Sequence, residues 1–481
     1  MKQIKFLAMA FAALAVFSCT KDDANKATDP ATPGQPVYAQ FSISLPDAAS
    51  RGTANDASGT TIENTITDLK VYLIGSNRLV EAVLNATNVT GTNDYTTQIA
   101  QITTGEKQVI AVVNAGTTRT SAIFSQGDNL SKIEDALIAN VAAAVDGTDI
   151  LFSSRLVTVN VMNKSGLNGV DNAPTSQTEP FKFEVSVDRS VAKVIVRDDI
   201  TVNANVGGVG VGGDGTYTAG SARFAINGML TNAGLYQCVT AGLPANHKSA
   251  VHNWWKNGTD GVISTPTQKP AAAKAVAISS YGPLAKPYVS GASDMATILG
   301  DGTNGGLYTL ENVVPATGKY GQSTIIYAQL KIVPKAKFTD GTTGVAGADI
   351  KADDDYCAVK HVSKNEYMFF VSKQDFDTWK GAGNPGESNT NYVDANATFY
   401  VGGVNYYRVN ITNENGKTPE LKYSLLRNKI YDVTLKEVKN LGKGKDEDLV
   451  NPDDPIETNA WIEATVKVKT WTVDRQESNL E

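Results

Sequence analysis

Apolar and polar side chains alternate in a segment near the beginning of the chain. Every second residue there is apolar, and the residues between are polar or amphipathic. The apolar positions are Val37, Ala39, Phe41, Ile43 and Leu45. A period of two places alternate side chains on one face of an extended backbone, so this segment is predicted to be a β-strand with one buried face. Pro46 follows and is expected to end the strand.

Short apolar runs separated by turn residues recur along the rest of the chain. The predicted strands are Asp68–Leu73, Gln108–Val113, Phe181–Val187, Val191–Val196, Ala222–Leu230, Ser323–Val333, Tyr367–Val371, Ala397–Val401, Tyr406–Asn410 and Lys429–Val438. Two helices are predicted among them. One has Ser131 and Glu134 as a capping box and an apolar face that extends to Val145, and the other is capped by Ser372 and Asp375. The chain is therefore predicted to be mainly β with a few short helices.

The last predicted strand, residues 461–473, follows a hydrophilic connector at 442–459. One of its faces is apolar and the other carries charged and hydroxyl side chains. The pattern changes at Trp471, where a large side chain stands on the face that was polar up to that point. The apolar positions considered for pairing are Ile462, Ala464, Val466, Val468 and Trp471. A bulge near Thr470 is expected to cause the change of parity. A terminal strand behind such a connector can pair within its own domain or with another molecule, and periodicity does not choose between these.

The first 18 residues have the form of an export signal. Lys2 and Lys5 precede an apolar stretch that is too short to span a bilayer, and the stretch ends at Cys19. A cysteine after such a core resembles a bacterial lipobox, in which the thiol becomes lipidated and tethers the exported protein. The Lys21 and acidic residues that follow resemble the surface-export signal of Bacteroidetes lipoproteins. Outer-surface attachment through a lipid is therefore expected.

Length and charge narrow the class of protein further. At 481 residues the chain is expected to form about two domains, with a glycine-rich junction within 206–220. Its net charge of −7 and its lack of a long basic run argue against nucleic acid as a partner. The frequent Val, Thr and Gly residues suit strands joined by turns. These features favour a mildly acidic, mainly β, exported protein.

Candidate chemical sites are sparse. The three histidines, His247, His252 and His361, have no metal-ligand spacing and stand beside no nucleophile motif, so no catalytic residue, metal or cofactor is predicted. The acidic triplet at 353–355 and the glycine-rich 300–306 are interpreted as solvated turns rather than calcium loops. The sequence leaves open whether Cys238 and Cys357 pair or stay free. The Trp254–Trp255 pair is compatible with a sugar platform, although buried packing is commoner for tryptophan.

Several motifs, in their order along the chain, resemble those of the fimbrillins of Bacteroidales, and more closely those of the major subunit of the Porphyromonas minor fimbriae. They are the lipobox at Cys19, the alternating strand followed by Ser50-Arg51-Gly52, the segments Val187–Val194 and Leu426–Val433, and the closing Ala464–Trp471. The resemblance spans nearly the whole chain. Arg189 and Arg427 lie inside two of these motifs, and each is interpreted as a structural charge at a sheet end or a domain interface.

The resemblance implies two transthyretin-like β-sandwich domains in a lipidated precursor that an arginine-specific protease cuts between Arg51 and Gly52. Residues 1–18 would be the signal peptide, 19–51 the propeptide, 52–215 the N-terminal domain and 216–481 the C-terminal domain. Cleavage would remove the strand of Val37 to Leu45 and expose a groove. The C-terminal strand of an identical or related subunit would then fill this groove, which builds a surface fimbria that supports adhesion to host or bacterial receptors.

Two alternatives stay open at this point. A monomeric, lipid-anchored surface protein that binds glycans would keep its N-terminal strand and show no strand exchange. A basal or accessory subunit would keep its lipid and lack a donor strand. The donor-like ending favours a shaft subunit, which is a structural protein rather than an enzyme.

Overall fold

Strands dominate the computed structural model. It describes residues 34, 36–45, 57–58, 61–89, 94–117, 119, 122–134, 136–138, 141–145, 148–161, 180–202, 215–218, 221–227, 233–235, 282–283, 307–312, 314, 320, 323–364, 366–383, 390–412, 422–445, 449–450, 454–456 and 462–472. Among these residues no helix has both the length and the apolar character needed to cross a bilayer. The mainly β prediction is confirmed.

The elements up to residue 202 alternate short strands with three helical turns. They are β1 (Pro36–Ser44), β2 (Ala57–Ser58), α1 (Thr61–Asn64), β3 (Leu69–Ile74), β4 (Val80–Asn88), β5 (Asp94–Thr97), β6 (Ala100–Thr103), β7 (Gly105–Val113), α2 (Leu130–Glu134), β8 (Leu137–Ile138), α3 (Val141–Ala144), β9 (Phe152–Ser154), β10 (Val157–Val161), β11 (Phe181–Arg189) and β12 (Val191–Val202).

The later elements include one longer helix. They are β13 (Thr216–Tyr217), β14 (Arg223–Asn227), β15 (Ala233–Gly234), β16 (Gly282–Pro283), β17 (Leu307–Leu310), β18 (Ile325–Val333), β19 (Lys337–Thr339), β20 (Ala346–Asp349), β21 (Tyr356–His361), β22 (Tyr367–Phe370), α4 (Lys373–Gly381), β23 (Tyr392–Tyr400), β24 (Val404–Asn410), β25 (Lys429–Val438) and β26 (Ile462–Thr472).

The N-terminal sheet closes on itself. Its strands follow one another in the order β7, β3, β4, β5, β1, β11 and β9, and β9 pairs again with β7. Seven strands thus form a barrel-like ring, with β10 and β6 attached to it. Closure removes free sheet edges, because each ring strand has a neighbour on both sides. The closed ring of this part of the chain was not predicted, and the transthyretin-like sandwich type is not confirmed here.

A second core lies between sheets of the C-terminal part. One sheet has the order β17, β12, β25, β26 and β2, and a second is built around β18 with β13, β14, β16 and β24. Their apolar side chains meet in one cluster, to which Val194, Val433, Ile326 and Tyr407 belong. Two sheets around one core agree with a sandwich, whereas the transthyretin-like type and the number of such domains stay predictions.

Strand β12 is buried on both faces. Val191 and Ile195 belong to the first core, and Ala192, Val194 and Val196 belong to the second. A strand with both faces covered has a continuous apolar sequence instead of an alternating one. The sheet that contains β12 therefore forms a layer between the two cores, and the chain passes from one sheet to the other at Ser190, between β11 and β12.

The two helix predictions had different outcomes. The helix that follows Ser372 is confirmed, because Ser372 caps α4 by accepting a hydrogen bond from the amide of Asp375 at 3.2 Å. The single helix predicted from Ser131 towards Val145 is wrong, because this segment is divided into α2, β8 and α3. Pairing of β8 with β15 satisfies backbone groups that a continuous helix would have satisfied itself.

The C-terminal strand also differs in detail from its prediction. Its ladder with β25 continues regularly through Thr470, so the bulge expected near that residue is absent from this pairing. The irregularity lies on the partner strand instead, between Leu435 and Glu437. The pairing of β26 with β25 therefore has no break on the β26 side up to Thr470.

Candidate functional site

The predicted displaced strand is an interior member of the N-terminal ring. It pairs in parallel with β11, from Ala39 opposite Phe181 to Ser44 opposite Ser186, and antiparallel with β5 and β6 on its other side. Strand β1 is therefore bonded along both edges. Its removal would leave one unpaired row of backbone groups on β11 and another on β5 and β6.

Four side chains of β1, and that of Leu45 directly after it, face the first core. Val37, Ala39, Phe41 and Ile43 are each 0% exposed, and Leu45 is 6% exposed. The residues between them are half-buried, as the period of two predicts. The Phe41 ring stacks on Phe183 of β11 with 5.4 Å between the ring centroids. These side chains are therefore an integral part of the first core.

Polar contacts fix the register of β1 against β5. The amide of Phe41 donates to Oγ1 of Thr97 at 3.0 Å, and Nε2 of Gln40 donates to the carbonyl oxygen of the same threonine at 3.1 Å. Thr97 is itself buried. A one-residue slip would turn the apolar set away from the core and break both bonds, so a single register is strongly favoured.

The predicted donor strand is held within its own chain. Strand β26 pairs antiparallel with β25, from Ile462 opposite Val438 to Thr470 opposite Lys429. Ile462 and Val466 are buried in the second core, and Ala464 packs against it. The side chains of Val468 and Trp471 lie outside the described part of the structure. In this chain the apolar face of β26 is therefore occupied by its own domain.

The other edge of β26 meets the segment that follows the predicted cleavage site. Ala57 pairs with Trp471 and Ser58 with Thr472, in a short parallel bridge between β2 and β26. Cys19, Arg51 and Gly52 lie outside the described residues. The structure thus brings the beginning of the predicted mature chain beside the end of the predicted donor strand, and it does not bring β1 and β26 together.

A buried polar cluster lies where the two sheets meet. Glu63 of α1 is 0% exposed; it forms an ion pair with Lys193 at 2.8 Å and accepts a hydrogen bond from the Tyr308 hydroxyl. Arg189 donates from Nε to the Glu63 carbonyl oxygen at 3.1 Å and from Nη2 to Oδ1 of Asn64 at 2.8 Å. Burial lowers the pKa of Arg189 to about 10, and the charge of Glu63 opposes that shift.

Arg427 forms a second buried pair at the same junction. Its Nε donates to Oε2 of Glu311 at 2.9 Å, and its Nη1 reaches Oγ of Ser153 and the carbonyl oxygen of Leu235 at 3.3 and 2.8 Å. The interpretation of Arg189 and Arg427 as structural charges at an interface agrees with these contacts. Their partners Glu63 and Glu311 were missed, because isolated acidic residues beside short apolar runs give no signal in the sequence.

The described residues show little that suggests catalysis or metal binding. No group of three His, Cys, Asp or Glu side chains lies together as metal ligands within the part of the chain that the structure describes. Asp353 pairs with Lys331, and Asp355 accepts a hydrogen bond from the amide of Gly402 at 2.7 Å, so two members of the acidic triplet serve a turn. His247, His252, Cys238 and the Trp254–Trp255 pair lie outside the described residues.

Two family models match the sequence. Residues 39–207 match the model of the major fimbrial subunit protein FimA, and residues 398–477 match the model of the major fimbrial subunit protein type IV, fimbrillin, C-terminal. The chain belongs to the fimbrillin family. The first match includes β1 from Ala39 onwards, and the second includes β26. No sequence in the collection of curated proteins matches this chain significantly.

Solved structures of fimbrial proteins are similar at low identity. A fimbrilin from Porphyromonas gingivalis is 14% identical, with a TM-score of 0.43, over 91% of this chain and 98% of its own. The tip fimbrial protein Mfa3 from the same species is 13% identical, with a TM-score of 0.34, over 91% of this chain and 100% of its own. A fimbrial assembly protein from Parabacteroides distasonis is 10% identical, with a TM-score of 0.29, over 83% of this chain and 91% of its own.

Family membership gives the general role. Members are fimbrial subunits, so this fimbrillin is a cell-surface component that associates with other fimbrial subunits. That role is structural and suggests a protein without catalytic activity. The prediction of the family is confirmed. The motifs that carried it lie on or beside β1, β11, β12, β25 and β26, except for Cys19 and Ser50-Arg51-Gly52, which lie outside the described residues.

Proposed function

We propose that this fimbrillin is a shaft subunit that polymerises by protease-triggered strand exchange. An arginine-specific protease cuts between Arg51 and Gly52, β1 leaves with the propeptide, and the C-terminal strand of the next subunit takes its place. Each subunit then receives one strand and donates another. Such a head-to-tail contact does not close on itself and therefore produces a filament.

The observation that carries the proposal is the position of β1. It is bonded on both edges, and its alternate side chains are buried, so its departure leaves a groove with a defined register. Burial of the donor's three larger apolar side chains, Ile462, Val466 and Val468, at about 1.5–3 kcal/mol each would give roughly 4.5–9 kcal/mol when the groove is refilled. This is an upper estimate, because the open groove itself relaxes. The uncut precursor is protected from assembly because its groove is full.

The donor strand has a spacing that suits the groove. Ile462, Ala464 and Val466 repeat at intervals of two, as do Val37, Ala39 and Phe41. In the isolated chain the donor strand β26 is paired with β25, so donation replaces this pairing by pairing with the strands that border the groove of the next subunit. Because β26 leaves β25 and the second core when it fills the groove, the net gain is the difference between the apolar surface that it buries in the two places. The short bridge between β2 and β26 would have to open in the same step.

The precursor follows from the same proposal. Residues 1–18 direct export, Cys19 carries the lipid that anchors the precursor in the outer membrane, and 19–51 form the propeptide. Residues 52–481 form the mature subunit that polymerises. Fimbriae built from such subunits support adhesion to host or bacterial surface receptors. Cleavage at Arg51 releases the subunit from its lipid as well as from β1.

Digestion of purified precursor tests the proposal. Wild-type protein treated with an arginine-specific protease is expected to begin at Gly52 and to form SDS-resistant ladders. Arg51→Ala should stay uncut and monomeric, whereas Arg78→Ala, which removes another exposed arginine, should behave as wild type. Val466→Lys places a charge in the donor face and should reduce the ladders without affecting cleavage. Because Val466 is also buried in the second core of its own chain, circular dichroism first establishes that the variant folds.

Two results would refute the proposal. Ladders from Arg51→Ala equal to those of wild type would show that assembly does not need this cut. A trimmed wild-type protein that stays monomeric would separate cleavage from polymerisation and would favour the monomeric glycan-binding lipoprotein. A protein that keeps its lipid, and whose assembly is unaffected by Val466→Lys, would instead indicate a basal or accessory subunit.

A further inference from the structure

A pull along a fimbria reaches this chain at two ends, and both follow from the proposed function. The pull enters at the Pro36 end of β1, either from the lipid on Cys19 of the precursor or from a preceding subunit whose strand replaces β1. It leaves at the Val438 end of β25, because the donor strand follows that end. Strands β1, β11, β12 and β25 connect the two ends through their pairing.

The first link between the ends is the ladder of β1 with β11. The two strands run in the same direction, and Ser44 near the end of the ladder lies opposite Ser186. The start of β1 and the end of β11 are therefore at opposite ends of the ladder. A pull on those two ends strains all the hydrogen bonds of the ladder together, whereas a pull on neighbouring ends opens the bonds one after another. The first ladder is thus loaded in shear, which is the geometry that resists more force.

The second link is the ladder of β12 with β25. The backbone passes from β11 through Ser190 into β12, which pairs in parallel with β25 from Lys193 to Val202. Here too the pull enters at the start of one strand and leaves at the end of the other, so this ladder is also loaded in shear. Val196 and Val433 lie opposite each other in it and are 1% and 0% exposed. Sliding of β25 would therefore expose apolar side chains as well as break hydrogen bonds.

One residue ties the two ladders together where they meet. The amide of Asn428, directly before β25, donates to the carbonyl oxygen of Val191 at 2.8 Å. Its Nδ2 donates to Oδ1 of Asp188 at 2.8 Å, and its Oδ1 accepts a hydrogen bond from Nη1 of Arg189 at 3.3 Å. Asn428 thereby joins the end of β11 to the start of β12 and of β25. The two ladders cannot separate at this point unless these bonds break.

Most of the chain lies outside this path. Residues 45–180 leave β1 and return to β11, and residues 203–428 leave β12 and return to β25. Each segment begins and ends at one of the two ladders, so an intact ladder carries the pull past the segment. The segment 203–428 contains a third apolar cluster, in which Val359 of β21 lies with Phe376 and Trp379 of α4. This cluster bears no tension while the second ladder holds.

We propose that this fimbrillin is built to carry tension along β1, β11, β12 and β25, through two parallel ladders that are loaded in shear. In a fibre, an incoming strand that runs in the direction of β1 completes the same path. Residues 203–428 stay outside the path, so their surface can contact other molecules without weakening the fibre. The load therefore passes from subunit to subunit along the strands that strand exchange itself uses, together with β11 and β12.

Pulling on single molecules of the uncut precursor tests the path without polymerisation, so a failure here is distinct from a failure of strand exchange. Residues 20–481, which include every described residue, carry one handle at the N-terminus and another on a peptide tag inserted after Lys445. The lifetime at a constant force measures the rate of unfolding under load. A second attachment, on a tag inserted after Asn205 instead, loads the first ladder alone, because that tag lies shortly after the end of β12.

A disulfide can close the first ladder so that the second alone sets the lifetime. The Oγ atoms of Ser44 and Ser186 are 3.0 Å apart, so Ser44→Cys with Ser186→Cys places two thiols within bonding reach. In this oxidised molecule, pulled through the tag after Lys445, Val433→Ala should shorten the lifetime by about tenfold, because two buried methyl groups are lost from the loaded ladder. Val359→Ala is the matched control. That valine is also 0% exposed but lies outside the path, so its replacement should lower the unfolding temperature and leave the lifetime under load unchanged.

The attachment after Asn205 tests the first ladder in the molecule without the disulfide. Phe41→Ala should shorten the lifetime there by at least about tenfold, because a buried ring is lost from the loaded strand, and Val433→Ala should have no effect. Unfolding temperatures establish that every variant folds. Equal shortening by Val433→Ala and Val359→Ala in the oxidised molecule, or no shortening by Val433→Ala, would overturn the proposal. An unchanged lifetime of Phe41→Ala would overturn it as well.

Discussion

Replacement of Phe41 by alanine measures how strongly the precursor holds β1. The Phe41 ring is fully buried and stacks on Phe183, so Phe41→Ala removes core volume and leaves a cavity. Phe→Ala changes in cores cost about 3–5 kcal/mol. Each 1.4 kcal/mol is a factor of ten, so the affinity of cut β1 for its groove should fall by at least about 10²-fold.

The assay uses the full-length precursor before and after cleavage. Urea denaturation of the uncut protein should show the loss of stability directly. After cleavage at Arg51, gel filtration follows how fast the 19–51 fragment leaves, and the variant should release it faster than wild type. Tyr38→Ala is the matched control, because Tyr38 is an aromatic residue of the same strand that is only half-buried on the other face.

The control determines how the result is interpreted. A large decrease in the free energy of unfolding for Phe41→Ala, with a small decrease for Tyr38→Ala, indicates that the retention of β1 in its groove depends on the core face of the strand. Equal losses, or a loss below about 1 kcal/mol for Phe41→Ala, would refute the reasoning, because the apolar face would then contribute no more than any other part of the strand.

Three further predictions concern the rest of the fold. Gly442→Ala should lower the unfolding temperature, because its Cβ would lie 3.0 Å from Cζ of Tyr407 and overlap the Tyr406 carbonyl. Gly381→Ala is the control: its Cβ meets no atom within 4 Å, so the unfolding temperature should be unchanged or slightly higher in the same thermal scan. Arg427→Met should lower the free energy of unfolding by about 3–5 kcal/mol in chemical denaturation, because it leaves Glu311 buried without its cation. Adding Glu311→Leu should recover much of that loss. An Arg427→Met variant as stable as wild type would contradict the role of the pair. Burial raises the pKa of Cys357 to about 11, so an alkylating reagent at pH 8 should modify this thiol only in denaturant. Peptide mapping identifies the modified residue. Equal labelling of the native protein would contradict the burial of Cys357.

The sequence by itself determined the strands with strong alternation. The period of two at Val37–Leu45 predicted both β1 and the face that is buried, because extended backbone places alternate side chains on opposite sides. Strand β25 begins at Lys429 and ends at Val438, as predicted. The cap at Ser372 also came from local chemistry, since the hydroxyl and the amide that it bonds are three residues apart. Family motifs, which are local as well, identified the fimbrillin.

Only the tertiary structure decided which strands meet. The seven-strand ring depends on β9 pairing with β7, and the parallel pairing of β1 with β11 joins segments more than a hundred residues apart. Such pairings follow from the packing of the whole chain, and strand periodicity carries no information about a strand's partner. The same reason explains the missed glutamates. Glu63 and Lys193 are distant in sequence, and only folding places them together in one buried junction.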